Sequence, residues 1–333
     1  LKSLNKNYLN KYFSHIYIEK EAYNYKITEY ILNKFNKASK ILINNYKEIF
    51  NRNKQNFIMQ KKSPKLILAV KKNNLIYKGA EVCHDFNNEN FYYTSSIFNC
   101  VYNCKYCYLG GMYTSANIVI FVNIEDYFKK IKKLENPYIS ISYDTDLMAF
   151  ENIYPFTKKW IEFASKNKDI KLEIRTKSSN FKSIKDMVPQ QNVILGWTVS
   201  PQEIIDKFEK QTPSLDLRIE SINEAINKGW IPRLSIDPIL KIDEFERIYS
   251  EFIEYLFQKI PANKIKDLSI GVFRMPLDYL KRMRKSSDNF IVYYPYENIN
   301  GVYTYSKEEK SYMINYVKKE LNKYIDKEKV FEI

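Results

Sequence analysis

Cys100, Cys104 and Cys107 lie in the stretch Cys100-Val-Tyr-Asn-Cys104-Lys-Tyr-Cys107-Tyr108, a C-x3-C-x2-C spacing. They are three of the four cysteines in the chain. Thiolates gathered this closely hold a metal ion or an iron–sulfur cluster, because several soft ligands share one soft cation. Three thiolates leave a four-ligand site one ligand short. On a 4Fe–4S cluster, one iron would stay open to a molecule that reacts. Zinc is a competing reading, but it takes four ligands. His84 or Cys83 could supply the fourth, but neither stands at a zinc-finger spacing. A ferredoxin-type cluster wants a further cysteine downstream, and Cys107 is the last in the chain.

Elements of alternating type must position this loop. Residues 1–90 read as a small α/β region. Helical spacing runs over 19–35, strands are expected at 40–44 and 65–70, and the polar, basic stretch 51–62 reads as a loop. From residue 91 a rhythm begins. A strand over 91–98 runs into the cysteines, an apolar β-branched stretch follows at 118–122, and a helix is expected at 125–134. Strands at 138–143, 170–176, 193–199, 231–236 and 268–273 then alternate with helices near 155–165, 182–187, 216–228 and 243–259. Val-, Ile- and Leu-rich strands separated by helices build a parallel sheet. Counting the strand before the cysteines gives six β/α units, which suits a partial (β/α)6 barrel. Residues 286–333 read as an aromatic hairpin (290–305) and a final basic helix (307–324). The expected division is therefore 1–90, 91–285 and 286–333.

The formal charge is +14 over 333 residues. That suits a polyanionic partner such as nucleic acid. A chain rich in Lys, Asn, Ile and Tyr and poor in Arg and Gly equally suits a genome-wide nucleotide bias, so charge alone leaves both readings open. No apolar run is long enough to span a bilayer, and the first residues carry no signal-peptide h-region. The expectation is a cytoplasmic protein that does not engage membranes. Three clustered cysteines out of four are not a disulfide framework, which agrees with a reducing compartment.

The cysteine spacing, with Tyr106 just before the third cysteine, at the end of the first strand of a β/α barrel, resembles the radical S-adenosylmethionine superfamily. Within it, Cys104-Lys-Tyr-Cys107-Tyr108-Leu109 and Val122-Asn-Ile-Glu-Asp126 resemble spore photoproduct lyase, and most closely its clostridial branch. Further matches are Thr176-Lys177 ending the third strand, Thr198 on the fourth, Phe208-Glu209-x-x-Thr212-x-Ser214-x-x-x-Arg218, and Phe273-Arg274 ending the sixth. The resemblance implies a DNA-repair lyase of the spore core. It would use a 5′-deoxyadenosyl radical to return the methyl-bridged thymine dimer to two thymines. It also implies a 4Fe–4S cluster on Cys100, Cys104 and Cys107, S-adenosyl-L-methionine as cofactor, and ultraviolet-damaged DNA as substrate. A low-potential reductant such as ferredoxin or flavodoxin would serve a monomeric enzyme. The remaining alternatives are a relative with the same cofactor acting on RNA or peptide, and a metal-containing nucleic-acid-binding protein without catalysis.

Residue by residue, the resemblance puts Tyr106 and Tyr108 beside the cluster, in a hydrogen-return route. It puts Lys177 opposite the carboxylate of S-adenosylmethionine, with Thr145 and Thr198 nearby. The better-known form of the family carries a hydrogen-donating cysteine on the second strand, and Tyr143 stands there instead. Cys83 is the one remaining thiol and the expected replacement donor, with Tyr143 as the fallback. Substrate contact is expected from Arg274 and from Tyr293 and Tyr294 of the aromatic region, with Lys281, Arg282, Arg284 and Lys285 facing phosphates. In a chain with 29 tyrosines, core packing is the plainer account of any one of them.

Overall fold

The computed structural model describes residues 13–79, 84–285 and 289–333. Two sheets carry the architecture. The smaller has five strands in the order Ser39–Ile43, His15–Glu19, Leu66–Ala69, Ile118–Phe121, Ile97–Phe98. The first four run parallel, and Ile97–Phe98 pairs antiparallel with Ile118–Phe121. All four residues of Leu66–Ala69 and of Ile118–Phe121 are buried, as expected for strands covered on both faces.

Three local differences from the sequence reading have physical causes. His15–Glu19 is a strand because Ile16 and Ile18 alternate with less buried neighbours, so the helix begins only at Lys26. Phe57–Lys62 is a helix where a loop was expected. It is capped by Asn56, whose side chain accepts from the Met59 amide at 3.0 Å, and it buries no residue, so no apolar periodicity marks it. The stretch at 182–187 forms only the short 3-10 turn Phe181–Ser183.

The larger sheet holds the barrel strands, labelled here β1 (Phe91–Tyr93), β2 (Tyr138–Ser140), β3 (Lys171–Thr176), β4 (Val193–Thr198), β5 (Arg233–Ile239) and β6 (Leu268–Val272). All six pair in parallel and in chain order. Val330–Glu332 extends the sheet beyond β6 in parallel, and Tyr77–Lys78 closes the other edge antiparallel to β1. The order is linear, so the barrel is partial. The strand Ile118–Phe121, which follows the cysteine loop, lies in the smaller sheet beside Leu66–Ala69, so the two sheets share the chain on either side of residue 90.

The N-terminal end of the barrel is plugged by charge. Arg233 donates to both carboxylate oxygens of Asp267, to Glu173 at 2.8 Å and to the hydroxyl of Tyr138 at 2.7 Å, with its guanidinium over the ring of Phe86. Four of its five N–H donors are engaged, which offsets the cost of burying the charge. His84 packs here against Phe86 and Phe331. It is therefore at the opposite end of the strands from the cysteine loop, and the zinc reading loses its histidine.

Beyond β6, Arg274–Pro276 pairs with Val302–Thr304, which pairs with Glu297–Ile299. The turn between the last two uses Asn300 and Gly301, both at positive φ (50° and 83°), the conformation a tight hairpin requires. The hairpin is thus Glu297–Thr304, while Phe290–Tyr293 is a helical turn. The helix Lys307–Leu321 starts at Ser306, which accepts from the Glu309 amide at 3.2 Å, and buries Met313, Ile314, Val317 and Leu321.

Candidate active site

The C-terminal ends of the barrel strands border a cavity of about 430 Å³. Cys100, Cys104, Cys107, Tyr106, Tyr108, Tyr143, Thr145, Lys177, Thr198 and Arg274 all line it. Each stands in the loop after β1 or at or just past the end of β2, β3, β4 or β6. Strand ends of a parallel barrel point one way, so residues far apart in sequence meet at one mouth. Cys83 lies outside the described residues.

The cysteine loop is held by its backbone. Asn103–Cys104 pairs antiparallel with Glu209–Lys210, and the Lys105 amide donates to the Phe208 carbonyl at 2.8 Å. Asn289 donates to the Lys105 carbonyl at 3.1 Å, and the Lys61 ammonium donates to the Cys100 carbonyl. The short helix Leu109–Met112 follows and packs on Leu277–Arg284. A Cβ on Gly111 would sit 2.5 Å from the Tyr279 carbonyl oxygen, so glycine is what lets the helices approach.

Burial pushes the Cys100 thiol up to about 12, and it raises Cys104 and Cys107 as well. The site thus stabilises thiolates only if a cation joins them. Among the described residues, no group of three or more His, Cys, Asp or Glu side chains closes around a single ion. Three thiols presented by one loop suit a cluster, in which each thiolate takes a different iron and the sulfurs need not converge on one point.

Glu209 sits under the loop, fully buried. It accepts from the Tyr106 hydroxyl, from Arg218, from Lys177 at 3.1 Å and from Ser200 at 3.3 Å. Burial alone would raise its pKa; Arg218, Lys177 and the Tyr106 hydrogen bond outweigh burial and hold it down to about 2. Arg218 is itself fully buried, and it also donates to Thr212 at 2.8 Å, to the Pro213 carbonyl at 3.1 Å and to the Thr198 carbonyl at 3.1 Å. It lies one turn into the helix Leu215–Asn227, which Ser214 caps. Lys177 is placed from below: Asp146 accepts from its amide at 2.7 Å and from the Thr176 hydroxyl at 2.7 Å.

The other side of the cavity is phenolic. The Tyr108 hydroxyl donates to the Tyr143 carbonyl at 2.6 Å and lies 3.3 Å from Asp144. The rings of Tyr108 and Tyr143 are 5.9 Å apart, Tyr143 and Tyr93 are 4.2 Å apart, and Tyr93 stacks on Tyr77 at 4.9 Å. Ser95 donates to Asp144 at 2.5 Å. Burial raises the pKa of Asp144.

The remaining candidates divide. Thr145 lines the cavity, yet its hydroxyl is committed to the Asn99 carbonyl at 2.8 Å. Arg274 faces the cavity paired with Asp237 at 2.8 Å. Tyr293 and Tyr294 do not line it. Tyr293 is exposed and donates to the Arg284 carbonyl at 2.6 Å, while Tyr294 donates to Glu309 and packs against Tyr296 and Tyr305. The ring of Tyr294 stabilises the C-terminal region by burial instead of serving the site. Arg282 and Arg284 are likewise engaged, on the carbonyls of Met112 and Val292. In their place Val302 of the hairpin forms part of the cavity wall. Sequence reasoning gave no role to Glu209, Arg218, Asp144 or Asp146. The Phe208-Glu209…Arg218 pattern was the available signal for the first two.

The sequence profile of the family described as spore photoproduct lyase matches residues 12–332. A spore photoproduct lyase of Geobacillus sp. (strain Y412MC61) is 22% identical over 182 residues, covering 53% of each chain. One of Clostridium acetobutylicum is 23% identical over 180 residues, covering 51% of this chain and 53% of its own. The match spans about half the length of these curated relatives. A solved spore photoproduct lyase complexed with dinucleoside spore photoproduct superposes with TM-score 0.80 at 18% identity, covering 96% of this chain and 98% of that one. A variant solved with AdoMet and the same dinucleoside also gives 0.80. With the profile running over nearly the whole described chain, the protein belongs to the spore photoproduct lyase family.

Proposed function

We propose that this chain is a radical S-adenosylmethionine lyase that returns spore photoproduct in ultraviolet-damaged DNA to two thymines. The observation that carries the reading is that one cavity joins three thiols of a single loop to a phenolic wall. Family membership supports it, as does the likeness in fold to a relative whose solved form holds the dinucleoside lesion. Cys100, Cys104 and Cys107 would hold a 4Fe–4S cluster. Lys177 would face the carboxylate of S-adenosylmethionine, with Thr198 beside it, and Arg274 would face the lesion. When bound, cluster and cofactor supply the one-electron chemistry that removes a hydrogen atom from the lesion.

The protein's own residues do the rest. Glu209 fixes Lys177 and Tyr106, and Thr145 secures its loop to Asn99. After the crosslink breaks, a carbon radical on the product must receive one hydrogen atom. A weak S–H bond gives it most readily, so Cys83 is the proposed donor on chemical grounds. Tyr108 and Tyr143 supply the phenolic route on the cavity wall. A monomer in the spore core, served by a low-potential ferredoxin or flavodoxin, completes the reading.

Two experiments test this. Protein reconstituted anaerobically should be brown with about four irons per chain. With reductant, S-adenosylmethionine and dinucleoside spore photoproduct it should release 5′-deoxyadenosine and restored thymine. A reducible cluster that leaves the lesion intact would overturn the substrate. Cys83→Ala should lower clean turnover about tenfold and raise side products. Repair as clean as the parent's would remove Cys83 from the route.

A further inference from the structure

The helix Phe57–Lys62 is fastened to the cysteine loop yet points outward. On its inner side Gln60 accepts from the Ala116 amide at 2.9 Å and from the Ser115 hydroxyl at 3.2 Å. Lys61 donates to the carbonyl of Cys100, and the Phe57 ring lies 3.7 Å from where a Cβ on Gly110 would be, just past Cys107. On its outer side Ile58 is 42% exposed and Met59 58% exposed, unusual for apolar side chains on a helix that buries nothing. Around them Arg52, Lys54 and Lys62 are exposed. No acidic residue occurs between Glu48 and Glu81, while eight Lys or Arg do. None of the helix lines the cavity, so a partner seated here would leave the substrate mouth open.

We propose that this helix face is the docking surface for an acidic one-electron carrier protein that delivers electrons to the cysteine loop. The inference rests on the iron–sulfur reading and names the place where the reductant engages. An apolar centre with a basic rim is the anatomy of a transient protein interface, and the single-sign rim steers an acidic partner. A path from Met59 and Lys62 through Lys61 reaches Cys100 across one hydrogen bond. A nucleic acid would use the basic residues but gains nothing from Ile58 and Met59. Its place is at the cavity mouth, which the helix does not border.

The test uses the reconstituted holoprotein, an acidic flavodoxin, and a Lys54→Glu/Lys62→Glu variant. Met59→Ser serves as a second, uncharged variant. All three positions are exposed, so the fold is not at risk. Calorimetry at low salt should show flavodoxin binding weakened about tenfold by the charge reversal, and parent affinity should fall as salt rises. Reduced flavodoxin should bleach the variant cluster more slowly than the parent's, while dithionite bleaches both alike. Equal flavodoxin affinity in parent and variants would overturn the surface. So would a charge-reversal loss confined to affinity for lesion-containing DNA, which would assign the face to nucleic acid. A reconstituted parent without a bleachable brown cluster would instead sink the iron–sulfur reading, whatever the flavodoxin affinity.

Discussion

Tyr106 and Tyr108 flank the same cysteine, two residues apart, and meet opposite surroundings. The Tyr106 hydroxyl donates to a buried carboxylate that also holds Arg218 and Lys177. The Tyr108 hydroxyl donates to a backbone carbonyl, and its ring faces Tyr143. One side of the cavity is thus locked by an ion-paired carboxylate, and the other is a stack of phenols running back to Tyr77, with Asp144 beside the Tyr108 hydroxyl. A phenol bound to an ion-paired carboxylate is a positioning group. A phenol on a carbonyl, with Asp144 and a second ring beside it, would under the proposed function keep its O–H for hydrogen transfer. We propose that the equal standing the sequence motif suggests for the two tyrosines ends at Glu209.

The largest break in this contrast comes from Glu209→Gln. The shape stays, but Arg218 becomes a buried cation, and Lys177 a half-buried one, without their carboxylate. Removing one partner of a buried pair costs about 3–5 kcal/mol. Urea unfolding of the metal-free protein should show that loss. An unchanged midpoint would mean that solvent reaches the network.

The same carboxylate sets an acid limit. Its folded pKa is about 2 against an ordinary 4.5, so the stability it contributes is complete above 4.5 and is lost as pH falls through 2. The difference is on the order of 3 kcal/mol. Parent and Glu209→Gln stability curves should converge across that window, and parallel curves would contradict the assignment.

Exchanging hydroxyls sharpens the comparison further. Tyr106→Phe removes a hydrogen bond to a charged acceptor and should cost about 2 kcal/mol of stability. Turnover per folded, cluster-loaded molecule should stay near the parent's. Tyr108→Phe removes a short bond to a backbone carbonyl and a longer contact to Asp144, together worth about 1 kcal/mol, yet should lower clean turnover about tenfold. If both variants lose turnover equally and neither loses stability, the two sides are not distinct.

How far the sequence foretold this depends on what each residue answers to. Five of the six barrel strands were legible because buried parallel strands write continuous apolar runs, and the three cysteines because their spacing has few other uses; the strand expected over 91–98 instead splits, Phe91–Tyr93 joining the barrel and Ile97–Phe98 the smaller sheet. Ile118–Phe121 reads like its barrel neighbours, and only the pairing with Leu66–Ala69 reveals the other sheet. A strand's apolar run reports burial and carries no record of its partner. Glu209 stood out only as part of a family pattern and carried no role, since its value comes from cations nine or more residues away. Tyr294 misled for the converse reason, because an aromatic-rich stretch looks the same whether its rings meet a ligand or one another. The Asn300-Gly301 pair would have located the hairpin correctly.

The smallest expected effect is at Tyr143. Its carbonyl, which the side chain does not alter, is what Tyr108 bonds, and Phe would preserve the ring contacts at 5.9 and 4.2 Å. Tyr143→Phe should therefore cost no more than one hydrogen bond, about 1 kcal/mol of stability. Any change in repair must come from the lost O–H. With Cys83 as terminal donor and Tyr108 as relay, that change should be only about two- to threefold in clean turnover. In deuterated buffer the label entering thymine should be the same for parent and variant. A drop as large as that of Tyr108→Phe, with stability intact, would move the terminal donor from Cys83 to Tyr143 and make the phenolic wall the whole of the return route.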